Sequence, residues 1–391
     1  MRPEINIFSA DRYEQGVPWD QYAWLREHSP VHWHPDPGGP GFWAITRHED
    51  VTHVSRHPEL FSSQLKSSML YELSPEGLSR NQLIMLNQDP PQHTATRSIV
   101  NRGFTPRMIG KLEDHIRVVC NELIDQLSGG TADFVGDIAA PLPLYVICEL
   151  LGAPVEDRAK IFRWSNRLVG FDDPEFSSDD TTELFGLFEY GIQLGKARLI
   201  EPRDDIITKV VTGGEALSEA EVGMFVVMLA VAGNETTRNA ATGGMLAFFD
   251  EPGEWERLLA DRTLLRTVPD EVARYVSPVM AFRRTATRDT EIRGQAVAEG
   301  DKVIVYYNAA NRDEAVFDRP DRFDIGRDPN PHVGFGGGGP HFCLGAHLAR
   351  MELRVLFETL AERMPGIAPA GEARRLRSNF INGIKELPVT F

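Results

Sequence analysis

Cysteine is scarce in this 391-residue chain, which has only Cys120, Cys148 and Cys343. Three thiols without paired spacing exclude a disulfide framework and a cysteine-built zinc site. Positive charge is short as well. The 41 Lys and Arg stand against 57 Asp and Glu, giving a formal net charge of −16. That balance argues against nucleic acid or an anionic membrane as the main partner. No uninterrupted apolar run reaches the ~18 residues of a spanning helix, and the opening Met-Arg-Pro-Glu-Ile-Asn lacks a signal-peptide pattern. A cytoplasmic protein without a membrane anchor is expected. Linkers, repeats and low-complexity tracts are missing too. The densest Pro/Gly cluster, 35–41, joins the apolar runs 31–33 and 42–45 and reads as a hairpin loop. One domain spanning 1–391 is expected, large enough to bury a cofactor.

Hydrophobic periodicity predicts helices over about 17–28, 47–57, 91–102, 105–128, 139–151, 155–170, 181–200 and 203–211. It predicts more over about 218–248, 253–260, 264–276 and 344–364. Strands gather at 31–46 and 283–307, with a hairpin near the C-terminus. The fold class is mainly α with small, segregated β-sheets.

The chemistry centres on Phe335-Gly-Gly-Gly-Gly-Pro-His-Phe-Cys343-Leu-Gly-Ala-His-Leu-Ala-Arg350. A glycine-rich loop delivers Cys343 to the first turn of an amphipathic helix carrying Leu344, Leu348, Met351, Val355 and Leu356. Unpaired N–H groups and the helix dipole there favour thiolate, the form a metal requires. The glycines would let backbone approach a flat, bulky group. The plainer alternative is a buried cysteine behind a flexible loop. Cys120 and Cys148, in apolar helical settings, read as core residues.

This segment resembles the heme-ligand loop of the cytochrome P450 family, and the similarity runs from about Pro18 to Phe391. Phe335 lies eight residues before Cys343 where the family usually has seven, and His341 keeps its place two before it. The resemblance implies the P450 fold, with heme b between a long central helix and the cysteine loop. It makes Cys343 the axial iron ligand, with Phe335 and Gly345 in the loop around the heme.

A second motif lies upstream. Ser218-Glu-Ala-Glu221 opens a helix as a capping box, followed by an all-apolar run from Val222 to Gly233. Asn234-Glu235-Thr236-Thr237 then places polar groups in mid-helix, costly if buried without partners. These residues mark either a helix end emerging into solvent or a built site. Ala232, Gly233, Glu235 and Thr236 match the family's oxygen-helix signature. The resemblance makes Thr236 the hydroxyl of an oxygen pocket, with Glu235 bringing protons from solvent. The Asn-Glu-Thr triplet also fits a glycosylation acceptor, which is rejected for a buried site in a cytoplasmic chain.

Glu271 and Arg274, at i and i+3, share a helix face and alone suggest a solvated ion pair. In the family such a pair engages an arginine ahead of the cysteine loop. Arg327, within Phe317-Asp-Arg-Pro-Asp-Arg-Phe-Asp-Ile-Gly-Arg327, is the matching residue, and all three are assigned structure. For the heme propionates, motif position nominates His93, Arg97, Arg284 and His341 as charge-assisted donors. Taken singly, each is also readable as an ordinary surface residue, but four at family-matching positions favour the propionates.

Electrons must come from separate chains, because no flavin or nicotinamide motif is present. The implied partners are an iron–sulfur ferredoxin and a ferredoxin reductase, drawing ultimately on NAD(P)H. Arg97, Arg102, Arg107, Lys111, Arg350 and Arg354 form either a basic dock or an ordinary solvated set. Counting back from Thr236 puts Ala232, Gly233, Leu229 and Phe225 on one stripe. Val279, Phe282 and Ile381 would complete an apolar substrate wall.

The central-helix and cysteine motifs, with Leu376-Arg-Ser-Asn-Phe-Ile-Asn-Gly-Ile-Lys385, are similar to actinobacterial steroid side-chain and methyl-branched lipid hydroxylases. Region 62–84 matches them less well. A monooxygenase acting on a terminal methyl is the leading expectation. Tailoring of a terpenoid or polyketide is the alternative enzyme, and a non-catalytic heme sensor or carrier the rival of another class. A thiol redox enzyme would need a partner that Cys120 and Cys148, in apolar settings, do not offer.

Overall fold

The computed structural model describes residues 4–169, 172–176, 182–212 and 216–391. The helix ends expected at 170 and 181 and the Arg107 side chain lie outside the described parts. A helix of 32 residues, Glu219–Asp250, runs through the middle. At ~1.5 Å per residue it spans ~48 Å. Ser218 Oγ accepts from Glu221 N–H, and Ser218 N–H donates to Glu221 Oε2 at 2.8 Å. The expected capping box is therefore formed at its start.

The apolar run behind that cap is buried on several sides because other helices surround it. Thr182–Ile200, Pro141–Leu151, Val268–Val276 and Ala346–Arg363 all pack against it. Phe248, near its end, meets Trp255, Phe323 and Phe357 edge-on at centroid distances of 5.1 to 5.4 Å. Such edge contacts suit aromatic quadrupoles, and they tie the central helix to the cysteine helix.

The largest sheet has five strands in the order Val31–His34, Phe42–Ile45, Lys302–Tyr306, Ala281–Ala286, Phe61–Ser62. The hairpin predicted around 35–41 is formed, with Trp33 opposite Trp43. Its second strand runs parallel to Lys302–Tyr306. Two predictions needed revision. The helix expected from 139 is preceded by a π-helical turn, Phe134–Ala139, because Asp133 caps the N–H groups of Val135 and Gly136. The simple C-terminal hairpin is instead two pairings. Arg374–Arg375 pairs with Ile384–Glu386, while Pro388–Thr390 lies between Thr131–Asp133 and Ala368–Pro369. Asn239 Oδ1 on the central helix accepts Ile384 N–H at 3.1 Å, which pulls the chain inward between them.

Region 62–84 contains a helix, Pro75–Asn81, capped by Ser74. Arg283 holds this region to the sheet through Glu72 at 2.7 Å, and its N–H donates to Ser68 O at 3.0 Å. One stretch, Phe134–Leu151, is apolar and long enough to cross a membrane, but 72% of it is buried inside the protein.

Candidate active site

Between the central helix and the cysteine loop lies a cavity of about 240 Å³. Its wall includes Ala232, Gly233, Thr236 and Thr237 on one side and Phe335, Gly345 and Cys343 on the other. Cys343 is exposed to this internal space, unlike the buried Cys120 and Cys148. Those two thiols are pushed up to about 12, chiefly by burial, which keeps them inert at neutral pH.

Cys343 differs from the expected helix-start position. The helix begins at Ala346, and Cys343 sits in the turn before it, its N–H donating to Phe335 O at 2.9 Å. Desolvation raises the thiol above its ordinary range, opposed by the Gly345 N–H and by Arg97 and Arg350. Local N–H groups and guanidinium charge therefore favour the thiolate, while burial opposes it and calls for a cation to complete the site.

Not every loop glycine faces the cavity. Gly336 lines it, with φ +102°. Gly337 and Gly339 instead let the loop press onto the helix His48–Arg56. A Cβ on Gly337 would lie 2.5 Å from Ser55 Oγ, and one on Gly339 2.4 Å from Ser55 O. The glycines thus serve the loop's own packing as well as any bound group.

His93, Arg97, Arg284 and His341 all converge on the cavity. The two imidazoles lie 4.3 Å apart between centroids. Arg97 donates to Pro340 O and Arg284 to Arg283 O, each at 2.8 Å. Neither guanidinium has a carboxylate partner among the described residues. Burial, then the neighbouring Arg97, pushes His93 down to about 4. Burial, then Arg284 and His93, pushes His341 down to about 2. His93 Nδ1 is buried without a hydrogen-bond partner. Four crowded donors with an orphaned nitrogen fit a dianionic group such as heme with its two propionates. The open cysteine sulfur suits the iron.

Thr236 lines the cavity, with its Oγ1 donating to Ala232 O at 2.6 Å. Gly233 is required by packing, since a Cβ there would meet Ile147 Cδ1 at 2.3 Å. Glu235, expected to bring protons from solvent, lies off the cavity wall. It is 1% exposed and ion-paired with Arg238. Successive helical residues diverge by about 100°, so a Thr236 facing the cavity turns Glu235 away. Burial raises its carboxyl against the pull of Arg238, and its Oε1 has no partner. Asn234 is fully buried, donating to Ser165 Oγ at 3.1 Å.

Leu229, Val279 and Phe282 reach the cavity wall, alongside Met85, Met228 and Ile147, which sequence reasoning did not nominate. Phe225 lies in the main core instead. Ile381 pairs by a backbone bridge with Val279 and packs on Leu376, outside the wall. Glu352 and Thr237 also line the cavity and were not nominated.

Behind the loop, Glu271 and Arg274 are fully buried and doubly hydrogen-bonded at 2.8 Å. Arg327 Nε reaches Glu271 at 3.2 Å. Arg274 also donates to the carbonyls of Asn311, Pro320 and Arg322. The solvated ion pair suggested by spacing alone is replaced by a desolvated clamp on the stretch before Cys343. Of the basic residues considered for a dock, three are ion-paired within the chain. Lys111 pairs with Asp204, Arg350 with Asp270 and Arg354 with Glu113, at 3.1, 2.8 and 2.7 Å.

Known proteins agree with this geometry. The cytochrome P450 family model matches residues 250–364. A steroid C26-monooxygenase of Rhodococcus jostii is 42% identical over 97% of this chain and 83% of its own length. A methyl-branched lipid omega-hydroxylase of Mycobacterium bovis is 42% identical over 95% of this chain and 90% of its own. The structure of a Mycobacterium marinum cytochrome P450 in complex with pseudoionone superposes with a TM-score of 0.92 at 38% identity, covering all of both chains. The chain therefore belongs to the cytochrome P450 family of heme-dependent monooxygenases, which use dioxygen, electrons from redox partners and a hydrophobic substrate.

Proposed function

We propose that this monooxygenase hydroxylates a terminal methyl group of an extended apolar substrate, a steroid side chain or a methyl-branched lipid. The observation that carries this reading is the wall above Thr236, where Leu229, Val279, Phe282, Met85 and Met228 offer no polar anchor. A substrate held there is positioned by shape and burial alone. The two relatives named for steroid C26 and for lipid omega positions lend support.

Cys343 would hold the iron of heme b, which when bound supplies the activation of dioxygen. His93, Arg97, Arg284 and His341 would hold its propionates, with Ala232, Gly233, Phe335 and Gly345 lining the space around it. Thr236 would present a hydroxyl at the oxygen site, anchored to Ala232 O. Glu235, buried beside Arg238, would exchange protons through that pair. Glu271, Arg274 and Arg327 would brace the loop. Electrons would arrive from NAD(P)H through a ferredoxin reductase and an iron–sulfur ferredoxin, and the chain would act in the cytoplasm as one domain over 1–391.

A spectral titration of the purified ferric protein tests the substrate assignment. Cholest-4-en-3-one is compared with a methyl-branched fatty acid and with pseudoionone. A saturable low-to-high spin shift with the steroid or the branched lipid is the expected result. A shift with pseudoionone alone would replace the assignment with oxidation of smaller isoprenoids.

A further inference from the structure

Two residues of the substrate wall, Met85 and Leu86, belong to a single 3₁₀ turn, Met85–Asn87. Its own bonds are few. Asn87 N–H donates to Ile84 O at 2.8 Å, and Gln88 N–H to Met85 O at 3.2 Å. So short a turn is weakly held by itself, and its place depends on what it is tied to. The tie is Asn87, which is 2% exposed and turns both ends of its amide toward region 62–84. Its Oδ1 accepts from Ser68 N–H at 2.9 Å, from Ser68 Oγ at 2.6 Å and from Ser67 Oγ at 3.3 Å. Its Nδ2 donates to Asn81 O at 3.2 Å and to Asn81 Oδ1. Ser67 has a φ of +72°, a left-handed backbone that a residue with a side chain keeps only where its surroundings fix it.

We propose that Asn87 is a positioning residue for the substrate. By clamping Ser68 and Asn81 onto the turn, it sets how far Met85 and Leu86 reach into the cavity, and so which substrate carbon stops at the oxygen site. The proposal rests on the apolar-substrate reading above. On a wall without a polar anchor, shape alone fixes the bound pose, and small displacements of that pose change the rate at a given carbon steeply. The clamp is referenced to the rest of the site through Ser68, whose carbonyl accepts Arg283 N–H at 3.0 Å. Arg283 stands on the strand Ala281–Ala286, between Phe282 on the substrate wall and Arg284 at the cationic end. Bonds therefore run from that strand through Ser68 and Asn87 to Met85 and Leu86. An amide suits the task because donor and acceptor are both needed at one buried point. An apolar side chain there would strip Ser68 and Asn81 of these partners.

The test compares the heme-loaded full chain with Asn87→Leu, which keeps the branched shape without the hydrogen bonds. Amide hydrogen exchange should quicken in region 62–84 and the turn after it, and stay unchanged in the cysteine helix. With the steroid or the branched lipid, whichever shifts the wild type, the spin-shift titration should weaken several-fold. Product should spread from the terminal methyl to inner carbons at unchanged heme content. A loss of stability alone would not redistribute the product. Unchanged exchange in region 62–84 would overturn the proposal, and so would product still confined to the wild-type position. Should Asn87→Leu fail to hold heme, Ser68→Ala is judged on the same measurements. It removes only the 2.6 Å bond to Asn87 and should shift exchange and product in the same direction, by less. A wild type that responds to neither the steroid nor the branched lipid would overturn the substrate reading instead. The variants are then compared on pseudoionone, where an unchanged product position would overturn the role of Asn87.

Discussion

Replacing Glu271 by alanine removes a carboxylate that accepts five hydrogen bonds in a dry interior. Two come from Arg274, and one each from Arg327, Asn330 and Asp324 N–H, at 2.8 to 3.2 Å. Arg274 would remain fully buried with its positive charge unmatched. Leaving one partner of a buried pair behind costs about 3–5 kcal/mol. Against a total stability of about 5–15 kcal/mol this is a large fraction. The stretch 318–330, which the pair holds, leads straight into the cysteine loop, so heme retention should fall with stability. The matched control is Arg266→Ala. It breaks an exposed pair with Asp328 at 3.1 Å, the two side chains being 74% and 59% exposed. Exposed pairs contribute about 0–1 kcal/mol. Urea unfolding followed by tryptophan fluorescence and heme absorbance should show a large loss for Glu271→Ala and almost none for the control. Equal, small losses would refute the account of a desolvated clamp.

Thr236→Ala should keep heme and substrate binding but consume electrons with little product, releasing peroxide, as measured by product and peroxide per electron pair. In the heme-free protein, His93 is neutral down to about 4, whereas an unfolded histidine titrates near 6.5. The unfolded chain therefore binds more protons in that window, and stability is lost as pH falls from about 6.5 toward 4. His93→Phe should flatten this part of the urea midpoint against pH profile. Gly233→Ala sets a helix-propensity gain of about 1 kcal/mol against about 1–3 kcal/mol of overpacking. With a 2.3 Å contact to Ile147 Cδ1 the clash should dominate. Thermal melts should show a loss that Ile147→Val in the same chain reduces in part, since it removes Cδ1 but keeps the Cγ1 contact at 2.8 Å.

Sequence pattern revealed most where one residue carries its own chemistry. Cys343 stood out because a glycine-rich loop delivers it to the start of an amphipathic helix, and Ser218 with Glu221 because a capping box is local. Glu271 and Arg274 were ambiguous, since burial depends on carbonyls up to 48 residues away. Phe225 was nominated from phase alone. It lies 11 residues before Thr236, about 20° off in angle but ~16 Å away along the helix, beyond the cavity. Ile381 also lies off the wall, although its backbone-bridge partner Val279 is on it. Glu352 was missed although a signal existed. It falls four residues after Leu348 and four before Leu356, on the apolar stripe, where a carboxylate has no ordinary reason to be.

Turnover under isotopically labelled dioxygen, with a steroid bearing a cholesterol-type side chain and mass spectrometry of the product, tests the central claim most directly. The account predicts one labelled oxygen atom on a terminal methyl carbon, and no product from Cys343→Ser. Unlabelled product, or oxygen placed on the ring system instead, would contradict it.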